Sequence, residues 1–208
     1  MNPRYRIRLL GSLLAIYMAC GLAAGAQGAV NPGPRCLVET SPWILANLGP
    51  DSPDFYQLCL GYRLDERSTL FLDGITWRYG APLGIPMWDP AFESPSQDYP
   101  GYIRAFGLGL GYQALLWKGL FASVHAIPFL QDFHAQDGSL IQSGFQLYLQ
   151  AQLGYQIDLF KGRMYIKPSV YVNYWPVSTN FPAAFQAKES AWPNYQPLEP
   201  HLNIGFRF

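Results

Sequence analysis

The chain has 208 residues, 14 basic and 14 acidic, and 13% of them are charged, about half the usual share for a soluble domain. Half the residues are apolar and 16% are aromatic, which excludes a disordered chain, and no basic stripe exists to grip nucleic acid. Twenty Gly and 18 Pro, in a length that suits one domain, point to many turns.

Residues 1–26 have the form of a signal peptide. Arg4, Arg6 and Arg8 make a basic start, Leu9 to Ala24 an apolar core, and Ala24-Gly25-Ala26 a small-x-small cleavage site. The core is short for a membrane anchor and is broken by Gly11 and Gly21. A lipidated Cys20 fits poorly with Tyr17 and Met18 before it. Residues 27–208 then form one domain, with 11 basic and 14 acidic residues and no stretch approaching the roughly 18 apolar residues of a membrane helix.

That domain is written in period two. Leu37 to Leu48 is a less regular strand candidate holding Pro42 and Trp43. Tyr56, Leu58, Leu60, Tyr62 and Leu64 alternate with Gln57, Cys59, Gly61 and Arg63. Between Thr69 and Tyr79 the parity slips at Gly74, and a bulge there would put Leu70, Leu72, Ile75 and Trp77 on one face, with Asp73, Thr76 and Arg78 on the other. Phe106, Leu108, Leu110 and Tyr112 oppose Gly107, Gly109, Gly111 and Gln113. Leu120, Ala122, Val124, Ala126, Pro128 and Leu130 oppose Phe121, Ser123, His125 and Gln131. From Ile141 to Leu159 the odd positions are apolar with one exception, and the even ones carry Gln, Gly, Tyr and Asp. Ile166 to Tyr174 and Leu202 to Phe208 repeat the pattern. These runs make eight strand candidates, well beyond ordinary strand length where the pattern is cleanest.

The links alternate in kind. Residues 65–68, 117–119 and 160–163 are tight turns, whereas 80–101 and 176–197 are long, Pro-rich and aromatic, and fall on the same end. The pattern predicts an all-β, up-and-down antiparallel barrel with two unlike rims. A lipocalin-like barrel, apolar inside, would alternate the same way. The scarcity of charge on the polar face argues for apolar outside, as do the aromatics ending the apolar stripes (Tyr62, Tyr155, Phe206 and Phe208 at one end; Tyr56, Trp77 and Tyr174 at the other).

The chain ends on Phe208, preceded by Leu202, Ile204 and Phe206 at every second position. With the leader and the alternation, this resembles the C-terminal assembly signal of bacterial outer-membrane barrels. The sequence from residue 37 onward resembles small eight-stranded transmembrane barrels of Gram-negative bacteria. The resemblance implies a monomer in the cell outer membrane, with outer-membrane lipid, lipopolysaccharide and the barrel-assembly machinery as partners. It implies no activity, because the class holds adhesins, envelope anchors and lipid-modifying enzymes.

An eight-stranded barrel is just wide enough for its own side chains. The expected lumen holds Glu39, Arg63, Asp73, Arg78, His125, Lys167, Glu199, His201 and Arg207, whose mixed signs suit a buried ion-pair network. Trp43, Tyr148 and Tyr171 are expected to fill the space left by Gly107, Gly109 and Gly111. Ser123 and His125 share the lumenal face and, with an acid from a neighbour, make the cast of a serine hydrolase. No His-x-Ser-Asn run is present, and a nucleophile in a filled lumen is out of reach of an acyl chain. The alternatives to a structural or surface-interaction role are a lipid- or lipopolysaccharide-modifying enzyme, and a narrow pore or small-ligand binder. His134 near Asp132 is too sparse for a metal site, and no cofactor motif is found. Loop contacts are expected from Trp88, Phe92, Tyr99, Phe181, Phe185, Trp192 and Tyr195. Cys36 and Cys59 form an even pair suited to an oxidising compartment, but a hairpin turn at 51–52 would set Cys59 against Ile44, roughly 26 Å from Cys36 along a strand.

Overall fold

A computed structural model describes residues 34–49, 52–92, 94 and 98–208; the expected leader lies outside them. The strands are β1 (Cys36–Thr40), β2 (Tyr56–Arg63), β3 (Ser68–Tyr79), β4 (Gly101–Trp117), β5 (Leu120–Ala135), β6 (Leu140–Tyr155), β7 (Ile157–Leu159), β8 (Met164–Thr179) and β9 (Tyr195–Arg207). One short helix, α1 (Ala183–Glu189), stands between β8 and β9. Each strand pairs antiparallel with the next, β7 continues β6 after a break at Gln156, and β9 closes on β1. The ring therefore has eight staves and no free edge.

The register fixes its shape. From Leu37 the partners run Gly61, Phe71, Gly111, His125, Gln150, Asn173 and Gln196. Extending the β1–β9 register from Leu37↔Arg207 returns the path near Leu48. A stagger of about ten residues tilts the strands by about 40°. Lys118 and Gly119 both have positive φ, the geometry of a two-residue hairpin that follows the sheet's twist.

The alternation faces as the sequence predicts through most of the ring. Leu108, Leu110, Val124, Leu130 and Leu153 are exposed outward, while Gln113, Ser123, Gln131, Gln146 and Gln152 are buried inward. The outward apolar runs (Phe106 to Leu116, Leu130 to Leu120, Phe145 to Tyr155 and Met164 to Tyr174) each span about eleven positions, a tilted height of about 25 Å. Above them one ladder row, Arg78↔Arg104↔Asp132↔Ser143, turns the outer face polar within two residues.

Three expectations fail. No bulge exists at Gly74: β3 keeps register with both neighbours, so Ile75 and Trp77 point inward with Asp73, and Arg78 points out of the lumen. The loop end of the lumen is lined with aromatics while the outer face of β3 there carries Gly74, Thr76 and Arg78, so the apolar side of the strand changes from outside to inside and the alternation imitates a slip. Arg78 instead donates to Ser52 O at 2.7 Å and lies over the Tyr102 ring. The first strand is also shorter than expected. Pro42 has no N–H for a ladder, and Ser41 caps a 3-10 helix over Pro42–Leu48 by accepting from Trp43 N. Trp43 is 59% exposed and fills nothing. The room beside Gly107, Gly109 and Gly111 is taken by Phe129, Ile127 and the His125 ring, all from the neighbouring β5.

Candidate functional site

Two places gather the residues singled out in the sequence: the lumen and the loop end. At the turn end of the lumen, Glu39 of β1 and Lys167 of β8 form an ion pair at 2.8 Å, 3% and 1% exposed. Lys167 Nζ also donates to Gln113 Oε1 at 2.6 Å and lies over the rings of Phe71 and Phe121. Glu39 accepts from Tyr165 OH at 2.8 Å and from Asn203 Nδ2 at 3.5 Å. Every charge here is met by an opposite charge and by neutral dipoles, the condition for burying it at tolerable cost. His201 bonds Asn203 and stacks on Tyr171, and Glu199 accepts from Asn173 at 2.6 Å, so both belong to the same polar core.

Mid-barrel, the register brings Asp73 of β3 to His125 of β5. His125 Nδ1 is 2.6 Å from Asp73 Oδ2, and Nε2 is 3.1 Å from Ser123 Oγ. The geometry is that of a Ser-His-Asp triad. Its surroundings differ from those of a hydrolase. Ser123 Oγ donates its single proton to Gln152 Oε1 at 2.8 Å, and Gln152 Nε2 donates on to Ser169 Oγ at 2.8 Å. Ser123 is 4% exposed, and the glycine beside His125 already touches the imidazole. The chain Asp73–His125–Ser123–Gln152–Ser169 ties β3, β5, β6 and β8 together around the interior, reaching past β4.

Above this tie aromatic rings pack across the lumen. Trp77 meets Phe129 edge-on at 4.8 Å, and Tyr148 stacks on Trp175 at 5.8 Å, with Ala105 and Ile127 completing the cluster. Arg63 and Arg207 sit at the other extreme, on the turn-end mouth: Arg207 donates to Gly162 O and to Asp158 Oδ1 and covers the Tyr165 ring.

The two long loops are locked together. Tyr99 and Phe185 pack edge-on at 5.1 Å, and Phe185 is fully buried against Phe133, with Ile103 and Phe181 alongside. Glu189 of α1 accepts from Tyr99 OH at 2.6 Å and from the Leu83 N–H at 3.2 Å, bridging one loop to the other. Burial raises its carboxyl to about 7, against the pull of these two donors. Burial, then the nearby carboxylate, pushes the Tyr99 phenol well above its usual range. Of the other expected contacts, Phe92 and Trp192 are half-buried and Trp88 is 62% exposed. Tyr195 is no loop residue: it opens β9 opposite Tyr174 and faces outward.

The cysteines stand apart. Cys36 lies opposite Tyr62 and Cys59 opposite Glu39, so three ladder positions, about 10 Å, separate them and no bond joins them. The expected opposition of Cys59 to Ile44 fails with the short first strand. Sequence reasoning missed Gln152, Gln113 and Glu189, whose roles depend on cross-strand and loop-to-loop partners that no local pattern encodes.

No protein family and no curated protein matches the chain. Among solved structures it is similar to Neisserial surface protein A (NspA), at 12% identity over 84% of this chain and 95% of that one, with a TM-score of 0.42. That likeness is one of fold; the eight-stranded barrel rests on the closed hydrogen-bonded ring itself.

Proposed function

We propose that the protein is an integral outer-membrane barrel with a filled, non-conducting lumen, whose interactions are made at the cap formed by its two long loops. The observation that carries this reading is the outward apolar band of about 25 Å, bounded by the Arg78, Arg104, Asp132 and Ser143 row, around a ring without edges. Lipid covers the band, and the ending on Leu202, Ile204, Phe206 and Phe208 serves the assembly machinery. The turn end, where the chain terminates, faces the periplasm and the cap faces outside. The packed aromatics and the charged network support a rigid core in place of a channel. A heat-modifiability gel on an outer-membrane fraction tests the barrel, and planar-bilayer conductance tests the plug; an unshifted band or steady channel events would refute the respective half.

One observation favours a second reading, an enzyme acting on lipid or lipopolysaccharide: the Asp73–His125–Ser123 alignment. Lipid A mass spectra from cells carrying the wild type or Ser123→Ala decide it. A product lost only in the variant would move the function into the lumen.

A further inference from the structure

Charge is divided between the two ends of the barrel. The turn end carries seven of the eleven basic residues that follow the leader, against Asp65, Glu66 and Asp158. Four of the seven, Arg63, Lys161, Arg163 and Arg207, line one cleft of about 630 Å³ beside the seam where β9 closes on β1. They come from both sides of β1: Arg63 ends β2, Arg207 ends β9, and Lys161 and Arg163 lie in the turn before β8. Hydrogen bonds fix their spacing: the Arg207 N–H donates to Arg163 O at 2.8 Å, and the Arg207 side chain donates through Nη1 to Gly162 O at 2.6 Å.

Arg207 has Asp158 as a partner, but among the described residues Arg63, Lys161 and Arg163 make no ion pair. Asp158 pairs with Arg207 and Asp65 acts on Arg63, but no acidic side chain among the described residues lines the cleft itself, so positive charge is in excess there. The cleft is also two-faced. Phe206 and Phe208, stacked at 6.4 Å, line it, and Phe206 belongs to the exposed apolar stripe of β9. Concave cationic surface thus opens directly onto the band that meets acyl chains. A soluble anion would have no use for the aromatic wall; an amphiphile uses both.

We propose that this cleft is a binding site for the phosphate headgroup of an anionic phospholipid in the leaflet at the turn end, with the acyl chains descending along Phe206. The site rests on the outer-membrane reading above. Guanidinium pairs suit phosphate because they offer two parallel donors, and clustered basic pockets at a membrane surface select anionic headgroups.

The test uses the full-length barrel inserted in phosphatidylcholine nanodiscs with or without phosphatidylglycerol, after heat-modifiable mobility has shown it folded. Lipid retained by the protein is counted by native mass spectrometry. The wild type should retain phosphatidylglycerol in preference to phosphatidylcholine. Lys161→Gln with Arg163→Gln should cut that preference about tenfold, while Arg67→Gln with Lys118→Gln, the same charge removed from the same rim outside the cleft, should leave it nearly unchanged. Equal loss in both double variants would mean diffuse rim charge and overturn the site. Full displacement by inorganic phosphate, with equal phosphate binding in lipid-free detergent, would overturn the lipid as source. Failure to insert would sink the membrane reading itself; a folded, inserted barrel without lipid preference sinks only this inference.

Discussion

Lys167→Met is the most informative single change. The methionine keeps most of the buried stem and removes the ammonium, so the packing against Phe71 and Phe121 stays nearly filled while Glu39 loses its counter-ion. Breaking a buried pair in this way costs about 3–5 kcal/mol, because the remaining carboxylate has no water to turn to. Tyr165 and Asn203 still donate to Glu39, which places the expected loss near the lower bound, about 3 kcal/mol. Adding Glu39→Gln removes the orphaned charge while leaving an acceptor for Tyr165. The double variant should therefore be more stable than Lys167→Met alone, with a coupling of about 2 kcal/mol. Urea unfolding from lipid vesicles measures this, followed by fluorescence of the lumenal Trp77 and Trp175. Additive losses in the two single variants would refute the buried-pair argument and imply that water reaches the lumen at Glu39.

Leu149→Arg should cost about 2–4 kcal/mol and Gln150→Arg less, since only residue 149 faces lipid; stronger quenching by a lipid-phase spin label of a probe on a cysteine at 150 than at 149 would reverse inside and outside. Gly111→Ala should destabilise by about 1–3 kcal/mol, because its Cβ would strike the His125 ring, and NMR of that imidazole should show the Asp73 contact disturbed. The Glu189 carboxyl, at about 7 in the folded cap against an ordinary 4.5, favours the protonated form. Its contribution is complete below about pH 4.5 and is lost as pH rises through 7, a difference of about 3 kcal/mol. Hydrogen exchange at Leu83 N–H should therefore accelerate, beyond the intrinsic base-catalysed rise, between pH 5 and 8.5, and Glu189→Gln should abolish that extra acceleration.

Much of the barrel was legible because a strand's side chains alternate by geometry. In β4, β5, β6 and β8, where outward-facing Leu, Val and Phe oppose Gly, Gln and Ser, the alternation assigned the two faces correctly, Leu149 and Gln150 among them. Alternation misleads where the apolar side of a strand changes from the outer face to the lumen, and there the tertiary structure decided. At Gly74 the sequence suggested a slip, but the lumen above it is packed with Trp77, Phe129, Tyr148 and Trp175, so Ile75 and Trp77 turn inward without one. Partnership across staves was equally beyond a linear pattern. Ser123 and His125 share a face by spacing alone, yet only the β3–β4–β5 register delivers Asp73 to His125, and only the β5–β6 register gives Ser123's proton to Gln152. The gathering of Arg63, Lys161, Arg163 and Arg207 at one mouth follows from ring closure, since residues up to 144 positions apart become neighbours when β9 pairs with β1. Composition and period chose a barrel and its outer face; the stagger at which the ring closes chose who meets whom inside it.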